Sequence, residues 1–126
     1  MLKFKQGWRT IGGKRNYFRS KWEANYARWL QWRKKHGEII DWLHEPQTFW
    51  FESIKRGVRS YLPDFKVILL DGTHEWHEVK GYMDSKSLTK IKRLKKYYPE
   101  EKLIVVDSDW FKRNKNISYI LIGWEK

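Results

Sequence analysis

The sequence contains no cysteine, so neither a disulfide framework nor a thiolate zinc site is available to it. Three prolines and eight glycines among 126 residues leave no linker of the usual composition, and no internal repeat or low-complexity tract divides the chain. No apolar run approaches membrane-spanning length, and the N-terminus lacks the apolar core of a signal peptide. The expectation is a cytoplasmic, soluble protein without membrane contact. Negative charge is also scarce: 15 Asp and Glu face 27 Lys and Arg, a net charge of +12. An excess this one-sided suits a polyanion, most often nucleic acid. Aromatic residues are abundant, with nine tryptophans; most should be core, and some could stack on bases near a cleft. The length fits a single domain, residues 1–126, burying roughly two-thirds of its unfolded surface.

The stretch from Tyr61 to Tyr82 reads as two β-strands around a tight turn. Phe65–Leu70 is apolar and β-branched, and Asp71-Gly72 is a strong hairpin signal. Side chains alternate along a strand, so Glu78 and Lys80 share one face and Val79 takes the other. Whether Asp64 joins them depends on the loop. A two-residue loop pairs Leu70 with Thr73 and sets Asp64 against Val79, on the wrong face. A three-residue loop with Gly72 left-handed pairs Leu69 with Thr73 and sets Asp64 opposite Glu78. The second register is expected, because a one-residue slip flips every side chain. A twist or bulge near Pro63 is the route by which the first could still serve.

Two carboxylates and an ammonium on one patch suit a hard divalent cation. Mg²⁺ takes oxygen ligands and keeps several waters, so Asp64 and Glu78 suffice as side-chain ligands, with the main-chain carbonyl of Val79 as a further oxygen. Lys80 then holds the attacking water or the oxyanion of a phosphodiester. The plain alternative is a turn cap at Asp64 and a solvated Glu78–Lys80 pair.

Pro63-Asp64 followed by Glu78-Val79-Lys80 on the next strand resembles the PD-(D/E)XK nuclease superfamily. The surrounding wording is similar to small phage-type and transposon-end-cleaving endonucleases: Ser20-Lys21-Trp22-Glu23, His44-Glu45-Pro46, Tyr61-Leu62-Pro63-Asp64-Phe65 and Glu78-Val79-Lys80-Gly81. The likeness runs from about Ser20 to Asp107, and the strand–turn–strand context makes the short triad far more specific. It implies a Mg²⁺-dependent DNA endonuclease, Mn²⁺ substituting. It also implies an α/β restriction-endonuclease-like core: a central mixed sheet whose hairpin carries the active site, flanked by helices in αβββαβ order. Glu23, at the acidic position of the first helix, is implied as a fourth catalytic residue. Partner proteins in a phage or mobile-element complex are a further expectation.

Glu23 has a local reading too, since Ser20-x-x-Glu23 is a capping box. Ser20 should cap a helix to about His36, closed by Gly37, with Trp22, Tyr26, Trp29 and Arg33 on one stripe and Leu30 beside it. Before it, residues 1–19 form a basic, glycine-punctuated segment, read either as an arm along a phosphate backbone or as a frayed tail. Its cations include Lys3, Lys14, Arg15 and Arg19, with Lys21 just beyond. Gly12-Gly13-Lys14 is not a phosphate-binding loop, because the glycine spacing and the following Ser or Thr are missing. Gln47–Phe51 and a segment from Val58 read as strands, with Glu45 structural and Gln47 a weak rim candidate.

After Gly81, Ser85 or Ser87 should start a second helix ending near Pro99, with Leu88, Ile91, Leu94 and Tyr98 buried. Its Lys86, Lys90 and Arg93, among six cations without an acid, are candidates for phosphate contact. Lys102–Asp107 reads as a strand central in the sheet or parallel to the hairpin, reached by a right-handed crossover. Trp110-Phe111 should begin a short helix, and Ile117–Ile122 is an edge strand or a helical turn. His74 and His77 fall on opposite strand faces and cannot share an ion. The reading is a metal-dependent DNA endonuclease with Glu23, Asp64, Glu78 and Lys80 as catalytic residues, acting as a homodimer if it cuts both strands. The alternatives are a non-catalytic basic DNA-binding module and a subunit active only with partners.

Overall fold

The computed structural model describes residues 5–126. Within the basic segment read as an arm or a frayed tail, Gly7–Ile11 (β1) and Lys14–Phe18 (β2) pair antiparallel as a hairpin. Gly12 and Gly13 turn it, both at positive φ (61° and 78°), which the two-residue primed turn requires. Ile11 and Phe18 enter the core, while Trp8, Arg15 and Tyr17 face outward. Lys3 of the expected arm lies outside the described residues.

Ser20 starts the first long helix by accepting the Glu23 amide at 3.1 Å, which satisfies one of the unpaired N–H groups of a helix start. That helix (α1, Lys21–Lys35) ends in a Schellman arrangement: Gly37 N–H donates to Lys34 and Glu38 N–H to Arg33. Its buried side is broader than the expected stripe, taking in Ala24, Tyr26, Ala27 and Leu30 as well as Glu23. Small residues let α1 approach its neighbours closely. Trp22 and Trp29 sit at the margin instead, Trp22 against Phe111 with ring centres 4.8 Å apart.

The chain then runs through β3 (Asp41–His44), β4 (Phe49–Trp50), β5 (Ser60–Tyr61), β6 (Phe65–Ile68) and β7 (His74–Val79). The second long helix (α2, Ser85–Tyr97), β8 (Leu103–Val106) and two short helices (α3, Ser108–Arg113; α4, Ile117–Ile120) complete it. A four-stranded sheet of order β3-β6-β7-β8 is antiparallel except for the β7–β8 pair, so the sheet is mixed. Within it the element order is helix, three strands, helix, strand. The β8 strand is parallel to β7, as expected, but sits at the edge.

Two apolar clusters cover the sheet. Phe65, Val67 and Val106 pack with the hairpin and α1 on one side; Trp76 packs with Phe49, Phe51, Tyr61 and Leu94 of α2 on the other. The expected strands at 47–51 and from 58 shrink to the two-residue pair β4–β5. Pro63 has no N–H to give, and Asp64 directs its own N–H to a side chain, so no regular strand runs from β5 into β6.

The hairpin loop has three residues. Leu69 N–H donates to Thr73 at 2.8 Å, Gly72 adopts φ 87°, and the ladder pairs Phe65 with His77 and Ile68 with His74. Carried one step further, that register sets Asp64 opposite Glu78. Asp84 rather than a serine caps α2, accepting the Ser87 amide at 2.7 Å. The burial of α2 also differs from expectation: Ser87 and Leu94 are buried while Leu88 is exposed. The first two turns present Ser87, Lys90 and Ile91 to the cavity, which leaves Leu88 turned to solvent.

Gly72→Ala should lower unfolding free energy by about 1–2 kcal/mol, since a Cβ is penalised in the left-handed region. Urea denaturation checks this, and an unchanged midpoint rules the left-handed loop out.

Candidate active site

Where β6 and β7 run out, a cavity of about 590 Å³ opens between the start of α1, the β7 end and α2. Glu23, Asp64, Glu78, Val79 and Lys80 all line it, together with Arg19 and Lys90. The sequence placed these residues on three separate segments; the fold brings them into one wall.

The two hairpin carboxylates hold each other through the main chain. Asp64 Oδ2 accepts the Val79 N–H at 2.8 Å, and Glu78 Oε1 accepts the Asp64 N–H at 3.2 Å. Side chains thus take over where the ladder ends at Phe65 and His77. Glu78 Oε1 also accepts the Tyr61 hydroxyl at 2.8 Å. Burial and the Glu78 charge hold the Tyr61 phenol far above its usual range, so it stays a neutral donor.

Glu23 forms only half of the local motif expected of it. Its N–H completes the forward half of the capping box, but its carboxylate does not return to the Ser20 amide. Oε1 accepts the Arg19 N–H at 3.3 Å, and Oε2 meets His44 Nε2. The His44 side chain is buried, its ring centre 4.5 Å from that of Phe18 and 5.4 Å from that of Phe65. Glu45 adopts φ 48°, donates its N–H to the Asp64 carbonyl at 2.8 Å and pairs with Arg19. Glu23, His44 and Glu45 each offer a ligand atom within 4.8 Å of the others. His44 and Tyr61 are the residues that sequence reasoning missed. The signal for His44 was present: two residues after Trp42 on β3, it falls on the same inward face. Gln47, the weak rim candidate, is exposed and does not line the cavity.

The electrostatics are those of crowded acids. Burial, then the charges of Glu78 and Glu23, push Asp64 well above the usual aspartate range. Glu78 is pushed up by burial too, against the Tyr61 hydroxyl, the Lys80 charge and the Asp64 N–H, which favour its ionised form. A donor set of hard carboxylate oxygens, held fixed and short of positive charge, fits a divalent cation such as Mg²⁺.

Other expected residues are distributed unevenly. Lys14 donates to Asp41 at 2.9 Å and to the Trp42 carbonyl, stapling the hairpin to β3. Burial works against the Asp41 charge, yet Lys14 and Lys34 bring that carboxyl down to about 2. Lys21 is buried and donates to the main chain of Lys126, and Arg93 donates to the Val58 carbonyl. Arg15 and Lys86 are exposed, whereas Arg19 and Lys90 reach the cavity. His74 bonds Glu101 at 2.8 Å on one face of β7. His77 meets the Tyr26 hydroxyl at 2.6 Å on the other, and burial lowers its pKa. Among the described residues, no helix is long and apolar enough to cross a membrane.

Comparison with known proteins adds one match. The sequence model of a family described as "Protein of unknown function (DUF1064)" matches residues 3–115. No curated protein matches the chain.

The raised Asp64 pKa has a testable sign. Its contribution to stability is fully present below the ordinary aspartate value of 3.8 and is lost as pH rises through the folded-state value. Asp64→Asn escapes that loss. In chelator at neutral pH it should therefore melt about 4 °C or more above wild type, with the advantage vanishing below pH 3.8. Calorimetry across pH measures it; equal midpoints at pH 7 would sink the crowded-acid account.

Proposed function

We propose that this chain, which belongs to the DUF1064 family, is a metal-dependent DNA endonuclease on a restriction-endonuclease-like core. One observation carries the reading: Glu23, Asp64, Glu78 and Lys80 share a single cavity, with Asp64 opposite Glu78 across the hairpin. The helix–three strands–helix–strand order through the sheet supports it, being the αβββαβ order expected of such a core.

Glu23, Asp64 and Glu78 would hold Mg²⁺ or Mn²⁺, with the Val79 carbonyl as a further oxygen. A bound ion supplies Lewis acidity, acidifying water and offsetting negative charge that develops on the phosphodiester. The protein's own groups do the positioning. Val79 N–H fixes the Asp64 carboxylate, Tyr61 fixes Glu78, and His44 with the Arg19 amide fixes Glu23. Lys80 orients the attacking water toward phosphorus. Lys90, at the cavity wall, offers charge to the phosphates flanking the scissile one, whereas the charge of Arg19 is already engaged by Glu45.

Duplex binding draws on the exposed cations of α2, Lys86, Lys92, Lys95 and Lys96, whose release of counterions makes affinity fall steeply with salt. Cutting both strands would require a second copy acting on the opposite strand, most simply in a symmetric dimer. A homodimer and partner proteins of a phage or mobile-element complex belong to the same proposal.

The test is conversion of supercoiled plasmid to nicked or linear product. Wild type should cut with Mg²⁺ or Mn²⁺ and stop with EDTA, while Glu78→Ala should lose about 100-fold or more. Glu23→Gln separates its two roles: a cap tolerates it, whereas loss of about tenfold or more marks the carboxylate as part of the centre. DNA binding without conversion under any divalent ion, by the chain alone, rejects a self-sufficient nuclease and leaves the binding module and the subunit active only with partners.

A further inference from the structure

Most of the tryptophans behave as their size dictates, Trp42 and Trp76 being fully buried. Trp8 does not. It stands 59% exposed on the outer face of the β1–β2 hairpin, a two-stranded ribbon whose other face packs on α1 through Ile11 and Phe18. Tyr17, directly across the ladder, meets it edge to face with ring centres 5.6 Å apart and is 40% exposed. The Arg15 guanidinium lies over the Trp8 ring, 4.9 Å from its centre. A cross-strand aromatic pair steadies a hairpin, but steadying does not require leaving more than half of a tryptophan in water. The combination of aromatic faces and a guanidinium plane is what a nucleobase stacks on.

The ribbon is not remote from the cavity. Tyr17 precedes Arg19, which lines the cavity wall, by two residues, at most about 7 Å of chain. At the rim, in the loop between β7 and α2, Tyr82 is 78% exposed and lines the same cavity two residues after Lys80. Aromatic surface therefore stands a short length of chain from the site on the hairpin and lines it beside Lys80. A protein with net charge +12 gives that surface an electrostatic reason to meet an anionic chain.

We propose that Trp8 with Arg15 and Tyr17, together with Tyr82, form stacking stations for unpaired bases, so that the strand entering the cavity is single-stranded beside the scissile phosphate. The inference rests on the nuclease reading for its substrate, DNA, and sharpens which form of DNA the site takes. Duplex presents its bases already stacked and offers these side chains little, whereas a single strand lets successive bases settle on them whatever their identity.

Binding is measured in EDTA on the Glu78→Ala protein, so that turnover does not enter. Fluorescence anisotropy compares a labelled single-stranded oligonucleotide with a blunt duplex of equal length. Trp8→Ile, which keeps a β-favouring residue on the ribbon, should weaken single-strand affinity between about 5-fold and 100-fold. Duplex affinity should stay within about twofold. Tyr82→Ala, in an exposed loop away from the core, should act in the same direction and keeps the test valid if Trp8→Ile disturbs the hairpin. Equal weakening of both DNA forms, or of neither, overturns the proposal. Plasmid conversion by wild type is scored separately. Conversion with no effect of either substitution sinks stacking alone. Selective single-strand loss with no conversion leaves stacking standing and sinks catalysis.

Discussion

Everything at the site hangs on two hydrogen bonds made after the β6–β7 ladder ends: Val79 N–H to Asp64 and Asp64 N–H to Glu78. Each links a carboxylate to the opposite strand's backbone, so the position of one acid is fixed by the position of the other. Such bonds to charged groups contribute on the order of 1.5–3 kcal/mol each. They exist in only one register. Shifted by one residue, Asp64 would join the face where Phe65 packs against Tyr26, with ring centres 5.7 Å apart, and would no longer face Glu78. The three-residue loop, the left-handed Gly72 and the gap at Pro63 are local features in service of that pairing.

The pairing does not make the acids comfortable. Taking an ion out of water costs several kcal/mol, more than one or two amide bonds return, and Asp64 and Glu78 both rise above their usual range as a result. The sheet tolerates this because both of its faces are covered. Trp76 lies fully buried against Phe49 and Leu94 on the α2 side, and Phe65 and Trp42 lie buried on the α1 side, each contributing on the order of 2–3 kcal/mol of apolar burial. A strained set of charges at the end of a well-packed sheet is the pattern expected of a site built for something other than stability.

The hairpin was legible in Asp71-Gly72, but its register was not: two loop lengths were open, and side-chain alternation chose between them only through the demand that Asp64 face Glu78. The α1 start was legible in Ser20, and the β7–α2–β8 unit in its periodicity. The β1–β2 hairpin was not. Lys14-Arg15-Asn16-Tyr17-Phe18 buries only Phe18, and a polar ribbon gives no alternation to read. Leu88 misled in the opposite way, because an apolar residue at helical spacing says nothing about which neighbour the helix turn will face. His44 and Tyr61 reach Glu23 and Glu78 across 21 and 17 residues, and contacts of that span are properties of the fold rather than of any window of sequence.

The charge count needs the same correction from tertiary structure. A net +12 suggests a uniformly phosphate-seeking surface, yet part of it is spent on construction. Arg9 and Arg28 converge on Glu125, at 2.5 and 2.9 Å, while Asn25 donates to the Glu125 carbonyl and accepts its N–H. That cluster fastens the C-terminal segment to α1 and the hairpin. Lys14 holds the hairpin to β3 through Asp41, and Lys21 caps the same C-terminal end. Cations with such partners are already neutralised and add little to an external field. Exposed cations remain on α2 (Lys86, Lys92, Lys95 and Lys96), between β4 and β5 (Lys55, Arg56 and Arg59) and at the end of α3 and beyond it (Lys112, Arg113 and Lys115), so they are spread over several faces. The charge left to the outside is therefore smaller than the sequence total, and it is Lys80 and Lys90 at the cavity, rather than the overall count, that mark one place on the surface for an anion.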